Sequence, residues 1–221
     1  MIQTKYRSDY PGEFVVLESR RSGGKKTETR EWIPNPIENQ HLSGRAACIG
    51  SDVDRYRFNY DVLQRHRGGL LSSKQLQTYG TGSATEHMRL NFAVETNTEN
   101  LRRIMESDYQ QENIVYTTAR NCVRFPGQFY LIPQTPAVAD PVTAVYLAAF
   151  DGHQEVFLLG YHDEARIDNK HWMGHLARIF EIYSGTQFYL VGEATRMPDA
   201  WADNPNTKTM DYPEFISYCD V

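Results

Sequence analysis

The stretch from Asp140 to the C-terminus constrains the fold most, because it switches repeatedly between helical and extended periodicity with short connections. Asp140-Pro141 reads as a helix start, a capping residue followed by proline at the first helical position. Val142 to Phe150 continues as an apolar, alanine-rich helix, and Gly152 is placed to stop it. Glu155 to Gly160 reads as a strand apolar enough to be buried on both faces. Over 169–183, Trp172, Leu176, Ile179, Phe180 and Tyr183 fall on one helical stripe, closed by Gly185. Gln187 to Gly192 is the next strand, and Asp211-Tyr212-Pro213-Glu214 has capping-box spacing for a short last helix. This alternation predicts an α/β domain with a parallel sheet.

Upstream the pattern is shorter but compatible. Ala46-Ala47-Cys48-Ile49 reads as a buried strand running into Gly50-Ser51. Leu70-Leu71 with Leu76 to Tyr79, Leu90 to Val94, Ile114 to Thr117 and Phe129 to Ile132 are further strand candidates, and Asn100 to Glu106 a short helix. The first 40 residues differ: Phe14 to Leu17 and Thr27 to Ile33 flank Ser22-Gly23-Gly24, the pattern of a β-hairpin. Pro34-Asn35-Pro36 then enforces an extended exit. The fold expected is α/β: a Rossmann-like, mostly parallel sheet with helices on both faces over 41–221, preceded by an N-terminal β-hairpin arm over 1–40.

Composition narrows the class. With 221 residues, 40% hydrophobic and 23% charged, the chain has a globular composition rather than a disordered one. No window has the 18 or more apolar residues of a membrane span, and MIQTKYRSDYPGEF lacks the apolar core of a secretory signal. Cys48, Cys122 and Cys219 are too dispersed for a disulfide framework or a zinc knuckle, so a reducing, cytosolic setting is the simplest reading. Net charge is −5, unevenly spread: +2 over 1–47, zero over 48–150 and −7 over 151–221.

A parallel sheet takes its ligands beyond the C-terminal ends of its strands. Four such ends carry chemistry. Ile49-Gly50-Ser51 and Tyr79-Gly80-Thr81-Gly82-Ser83 offer close backbone approach and hydroxyls, as nucleotide phosphates need. After Thr117, Arg120 can pair with phosphate. After Leu159-Gly160-Tyr161, His162 and Asp163 are the acid/base candidates. Neither GxGxxG nor a Walker motif is present. His171 and His175 share a helix face without an accompanying HExxH glutamate, so they read as solvated and no metal site is expected. Arg20, Arg21, Lys25 and Lys26 on the hairpin, and Arg65 with Arg67, are the basic groups that could follow a nucleic-acid backbone, or simply face solvent.

Two resemblances add to this. Ala144-Val145-Tyr146-Leu147-Ala148-Ala149-Phe150 followed by Gly152 to Tyr161 resembles a segment of Rossmann-like glycosyltransferases, the bacterial sialyltransferase-like group and its relatives. Ile49-Gly50-Ser51 resembles their first strand and turn, although that turn usually reads Gly-Asn-Gly-Pro-Ser. The Asp of their Leu-x-Gly-x-Asp motif is His162 here, with Asp163 one place on. The phrases Trp32 to His41 and Phe215 to Val221 are similar to uncharacterised tailed-phage proteins.

The resemblance implies a nucleotide-sugar donor, a UDP-sugar as the simplest guess, with metal dependence left open. Gly50 and Ser51 would lie on its nucleotide side, and His162 or Asp163 would contact sugar or base. In a phage the acceptor would be a modified, hydroxymethylated base in DNA. The rival expectation is a non-catalytic interaction or virion protein on the same fold.

Overall fold

The computed structural model describes residues 12–22, 25–35, 44–50, 59, 61–65, 76–133, 139–161, 170–192 and 197–220. Its strands are β1 (Gly12–Ser22), β2 (Lys25–Asn35), β3 (Arg45–Ile49), β4 (Leu76–Thr81), β5 (Phe92–Val94), β6 (Ile114–Thr117), β7 (Tyr130–Leu131), β8 (Glu155–Leu159), β9 (Gln187–Val191) and β10 (Thr207–Met210). Its α-helices are α1 (Asp61–Arg65), α2 (Thr98–Glu106), α3 (Tyr109–Glu112), α4 (Ala119–Arg124), α5 (Asp140–Phe150), α6 (Lys170–Ile182), α7 (Asp199–Ala202) and α8 (Tyr212–Asp220). A 3-10 turn, Gly82–Glu86, follows β4.

Strands β1 and β2 form a separate antiparallel hairpin with Gly12 opposite Asn35 and Ser22 opposite Lys25. The other eight strands form one sheet in the order β10-β9-β8-β3-β4-β5-β6-β7. The pairs β10–β9, β9–β8, β8–β3, β3–β4, β5–β6 and β6–β7 are all parallel. The chain walks outward from β3 to β7, returns, and starts again at β8 on the other side of β3. This is the Rossmann-like α/β arrangement expected from the alternation, with its reversal between β3 and β8. By contact density the chain divides into two compact units, 1–40 with 92–137 and 41–91 with 138–221.

In the second unit both faces of the sheet are covered. Side chains alternate across a strand, and residues opposite each other on paired strands share a face. Cys48 lies opposite Tyr79 and Leu158, and its Sγ is 3.8 Å from the Ala144 carbonyl of α5. Phe188, opposite Val156, puts its ring 4.5 Å from that of Phe180 in α6. Helices α5 and α6 therefore cover one face. Phe157 points the other way, stacking on Tyr189 at 5.0 Å and meeting Phe215 of α8 at 5.0 Å. Strand β8 is buried on both faces as expected, and Val142 to Ala149 of α5 are buried all round.

Several local readings change. Asp140 is not the cap of α5: Ala139 holds that position with no side-chain cap, and Asp140 and Pro141 lie in the first turn. The residues after β6 form α4, whose cap Thr118 accepts from the Asn121 amide at 3.4 Å. The last helix starts where expected, with Asp211 Oδ1 accepting from the Glu214 amide at 2.7 Å. Leu70 and Leu71 lie outside the described residues.

Candidate functional site

Two glycines meet at the reversal between β3 and β8. Gly50 donates its N–H to the Leu159 carbonyl at 2.8 Å, one step beyond the paired residues Ile49 and Leu159. A Cβ on Gly50 would stand 2.5 Å from the Gly160 oxygen and 3.0 Å from its carbonyl carbon. Gly160 has φ of 78°, a region that side chains other than glycine's avoid. Backbone occupies the space that a side chain would take, so main-chain groups line this strand end.

Strand β4 reaches the same level, because Ile49 lies opposite Gly80 and Thr81 is the next residue. Space at Gly80 is tight: a Cβ there would come within 2.9 Å of Leu90 Cδ1 and 3.2 Å of the Ile49 oxygen. The following turn is rich in hydroxyls. Thr81 Oγ1 and Ser83 Oγ share a hydrogen bond of 2.8 Å, and Thr85 donates to the Gly82 carbonyl at 2.5 Å. One proton holds the Thr81–Ser83 pair, which leaves the other hydroxyl's proton to donate outward. Ser83 is exposed, Thr81 nearly buried.

Tyr161 braces the site. Its hydroxyl donates to the Pro141 carbonyl in the first turn of α5 at 2.9 Å. Burial first, and the neighbouring Cys48 second, hold the Tyr161 phenol well above its ordinary value, so it stays a donor. Burial pushes the Cys48 thiol far up as well, which removes it as a nucleophile. The brace was not legible in sequence, because the partner it needs is a backbone carbonyl 20 residues away.

Of the other expected site residues, Ser51, Arg67, His162 and Asp163 lie outside the described residues. Arg120 is exposed in the first turn of α4, in the unit containing 92–137. Arg20 and Arg21 lie on β1 and Lys25 and Lys26 on β2, with Arg21 opposite Lys26 beside the hairpin tip. Arg65 is the last residue of α1. His175 is exposed, as expected.

That first unit has a polar cluster of its own at the ends of β5 and β6. The buried Glu95 carboxylate accepts from the Asn97 amide at 2.7 Å and from Asn100 Nδ2 at 3.1 Å. Asn121 donates to the Thr96 carbonyl at 2.9 Å and to Thr117 Oγ1 at 3.0 Å. These bonds fix the two turns to each other. The asparagines and threonines give no distinctive spacing in the sequence, so their partnership went unread.

Among the described residues no three His, Cys, Asp or Glu side chains gather as a metal site, and no helix is long and apolar enough to cross a membrane. Compared with protein-family models, curated proteins and solved structures, the chain matches none of them.

Proposed function

We propose that the protein is a nucleotide-sugar-dependent glycosyltransferase whose donor binds across the reversal between β3 and β8. The observation that carries this reading is the Gly50–Gly160 approach, with Thr81 level beside it. The paired hydroxyls of Thr81 and the exposed Ser83 beside that edge suit a diphosphate, whose oxygens accept hydrogen bonds. Gly50, Ser51, Gly80 and Thr81 hold the nucleotide side. His162 or Asp163, just past Tyr161, accepts the acceptor hydroxyl's proton as its oxygen bonds to the anomeric carbon, and the bond to the diphosphate oxygen breaks. The acceptor proposed is a hydroxymethylated base in DNA, on the strength of the basic hairpin residues Arg20, Arg21, Lys25 and Lys26.

The test is a thermal-shift screen against UDP, GDP, CMP, ADP and their sugar conjugates, with and without Mg²⁺. A ligand at a hundred times its dissociation constant stabilises the folded state by about 2.7 kcal/mol, a shift of roughly 2–4 °C per kcal/mol at this size. A shift confined to one nucleotide family supports the reading and names the donor. A flat panel defeats it.

The hairpin favours a second reading. Two strands of 11 residues each form an antiparallel hairpin outside the parallel sheet. An interaction module that uses this arm against a macromolecular partner would combine a flat nucleotide panel with partner binding that is lost when 12–35 are removed.

A further inference from the structure

At the end of the sheet opposite the reversal, the second unit has an open cleft of about 510 Å³, inside the roughly 300–1,000 Å³ range of small-molecule sites. It lies between the C-terminal half of α6, helix α7 and the turn that leads into β10. Ala177, Phe180, Ala200 and Pro205 supply its apolar lining. Phe180 is held in place by the rings of Phe188 and Trp201, 4.5 and 5.6 Å away.

Asn206 is 8% exposed and lines the cleft. Its Nδ2 lies 2.9 Å from the Phe180 carbonyl oxygen, 3.2 Å from that of Tyr183 and 3.0 Å from that of Thr186. Carbonyl oxygens only accept, so these contacts fix which end of the amide is nitrogen. They tie the end of α6 to the lead into β9 and leave Oδ1 without a donor among the described residues. Oδ1 is not sealed in the core, so it opens onto the cleft that Asn206 lines. A largely buried amide oxygen needs a donor from the space it faces, either water or a ligand.

The rest of the lining says which ligand. Its ionisable side chains are Glu181 and Asp203, and among the described residues no Lys, Arg or His lines the cleft. Asp203 is exposed and has no hydrogen-bond or ion-pair partner among the described residues. Glu181 Oε2 accepts from Arg178 at 2.6 Å, which leaves its other oxygen to accept. Helix α6 also ends here with no basic side chain in its last turn, and the carbonyl end of a helix favours a cation. A ligand that fits must donate without accepting, carry positive charge and lay a short apolar stem on Phe180. A primary ammonium on an aliphatic chain meets all three conditions.

We propose that this cleft binds a small aliphatic amine in its ammonium form, with Asn206 Oδ1, Asp203 and Glu181 accepting from the cation and Ala177, Phe180 and Pro205 against its methylenes. The inference does not depend on what the reversal binds.

The test is a titration of the full chain with 1,4-diaminobutane hydrochloride at pH 7, followed by ¹H–¹⁵N correlation spectra, with sodium chloride holding the ionic strength constant. Saturable shifts confined to the amides of 177–184 and 200–206 are expected. 1,4-Butanediol, equal in length and uncharged, should give none. Asp203→Asn and Glu181→Gln keep side-chain size at exposed positions, so both should retain the wild-type spectrum without amine, and each should weaken binding severalfold. Shifts that fail to saturate, that spread over the acidic surface or that appear equally with the diol overturn the proposal. Undiminished binding by either variant overturns it as well.

Discussion

A side chain on Gly50 would need the space that the Gly160 backbone occupies, its Cβ standing 2.5 Å from the Gly160 carbonyl oxygen. The obstacle is backbone already bonded to backbone, through Gly50 N–H and the Leu159 carbonyl, so a rotamer change cannot relieve it. Gly50→Ala should destabilise the fold by about 1–3 kcal/mol, the usual cost of overpacking. It should also abolish any nucleotide-induced thermal shift. Urea unfolding of the variant reads the first effect, and the same ligand screen reads the second.

Phe157 lies between Tyr189 and Phe215, with both rings 5.0 Å away, and is fully buried. Truncation to alanine removes a whole ring from a site that helix and sheet cannot both close. Phe157→Ala should cost about 3–5 kcal/mol in chemical denaturation. Tyr218→Ala, at a position 39% exposed, should cost much less.

Asn121 carries two hydrogen bonds from one amide nitrogen, to Thr96 and to Thr117. Asn121→Ala leaves the Thr96 carbonyl without that donor and should cost about 1–3 kcal/mol. Hydrogen exchange should show the loss concentrated in the β5–α2 and β6–α4 turns. A uniform loss of protection across the chain would contradict a local latch.

All three cysteines are buried and none is in a disulfide. Burial pushes the Cys122 thiol from 9.0 up to about 12 and Cys48 further. Their neutral forms therefore favour the folded state. That contribution is complete below pH 9 and is lost as pH rises towards 12. Native protein should react slowly with a thiol reagent at pH 8 and release all three thiols in denaturant. Alkaline unfolding should begin above pH 9.

The reading of α5, β8, α6 and β9 from sequence held because each declares itself within its own residues. An apolar run such as Val142 to Ala149 needs burial on all sides, and the turns around Gly152 and Gly185 set the boundaries. The same logic missed β10 and α7. Among the described residues Thr207-Lys208-Thr209-Met210 pairs only with β9 and keeps Lys208 and Thr209 exposed, so it has no apolar run to announce it. At the candidate site, Gly50, Gly80 and Thr81 were visible because a strand running into glycine is a local pattern.

What the residues determined alone was therefore the class of fold, since periodicity and turn chemistry act over a few neighbours. Tertiary structure decided the strand order, the meeting of Gly50 with Gly160, and the buried contacts of Tyr79 with Asp151 and His153. Those partners lie 72 and 74 residues apart for the two Tyr79 bonds. Their pairing depends on which strand lies beside β3 and which helix covers it. That choice is made by packing across the whole sheet, and no local propensity encodes it.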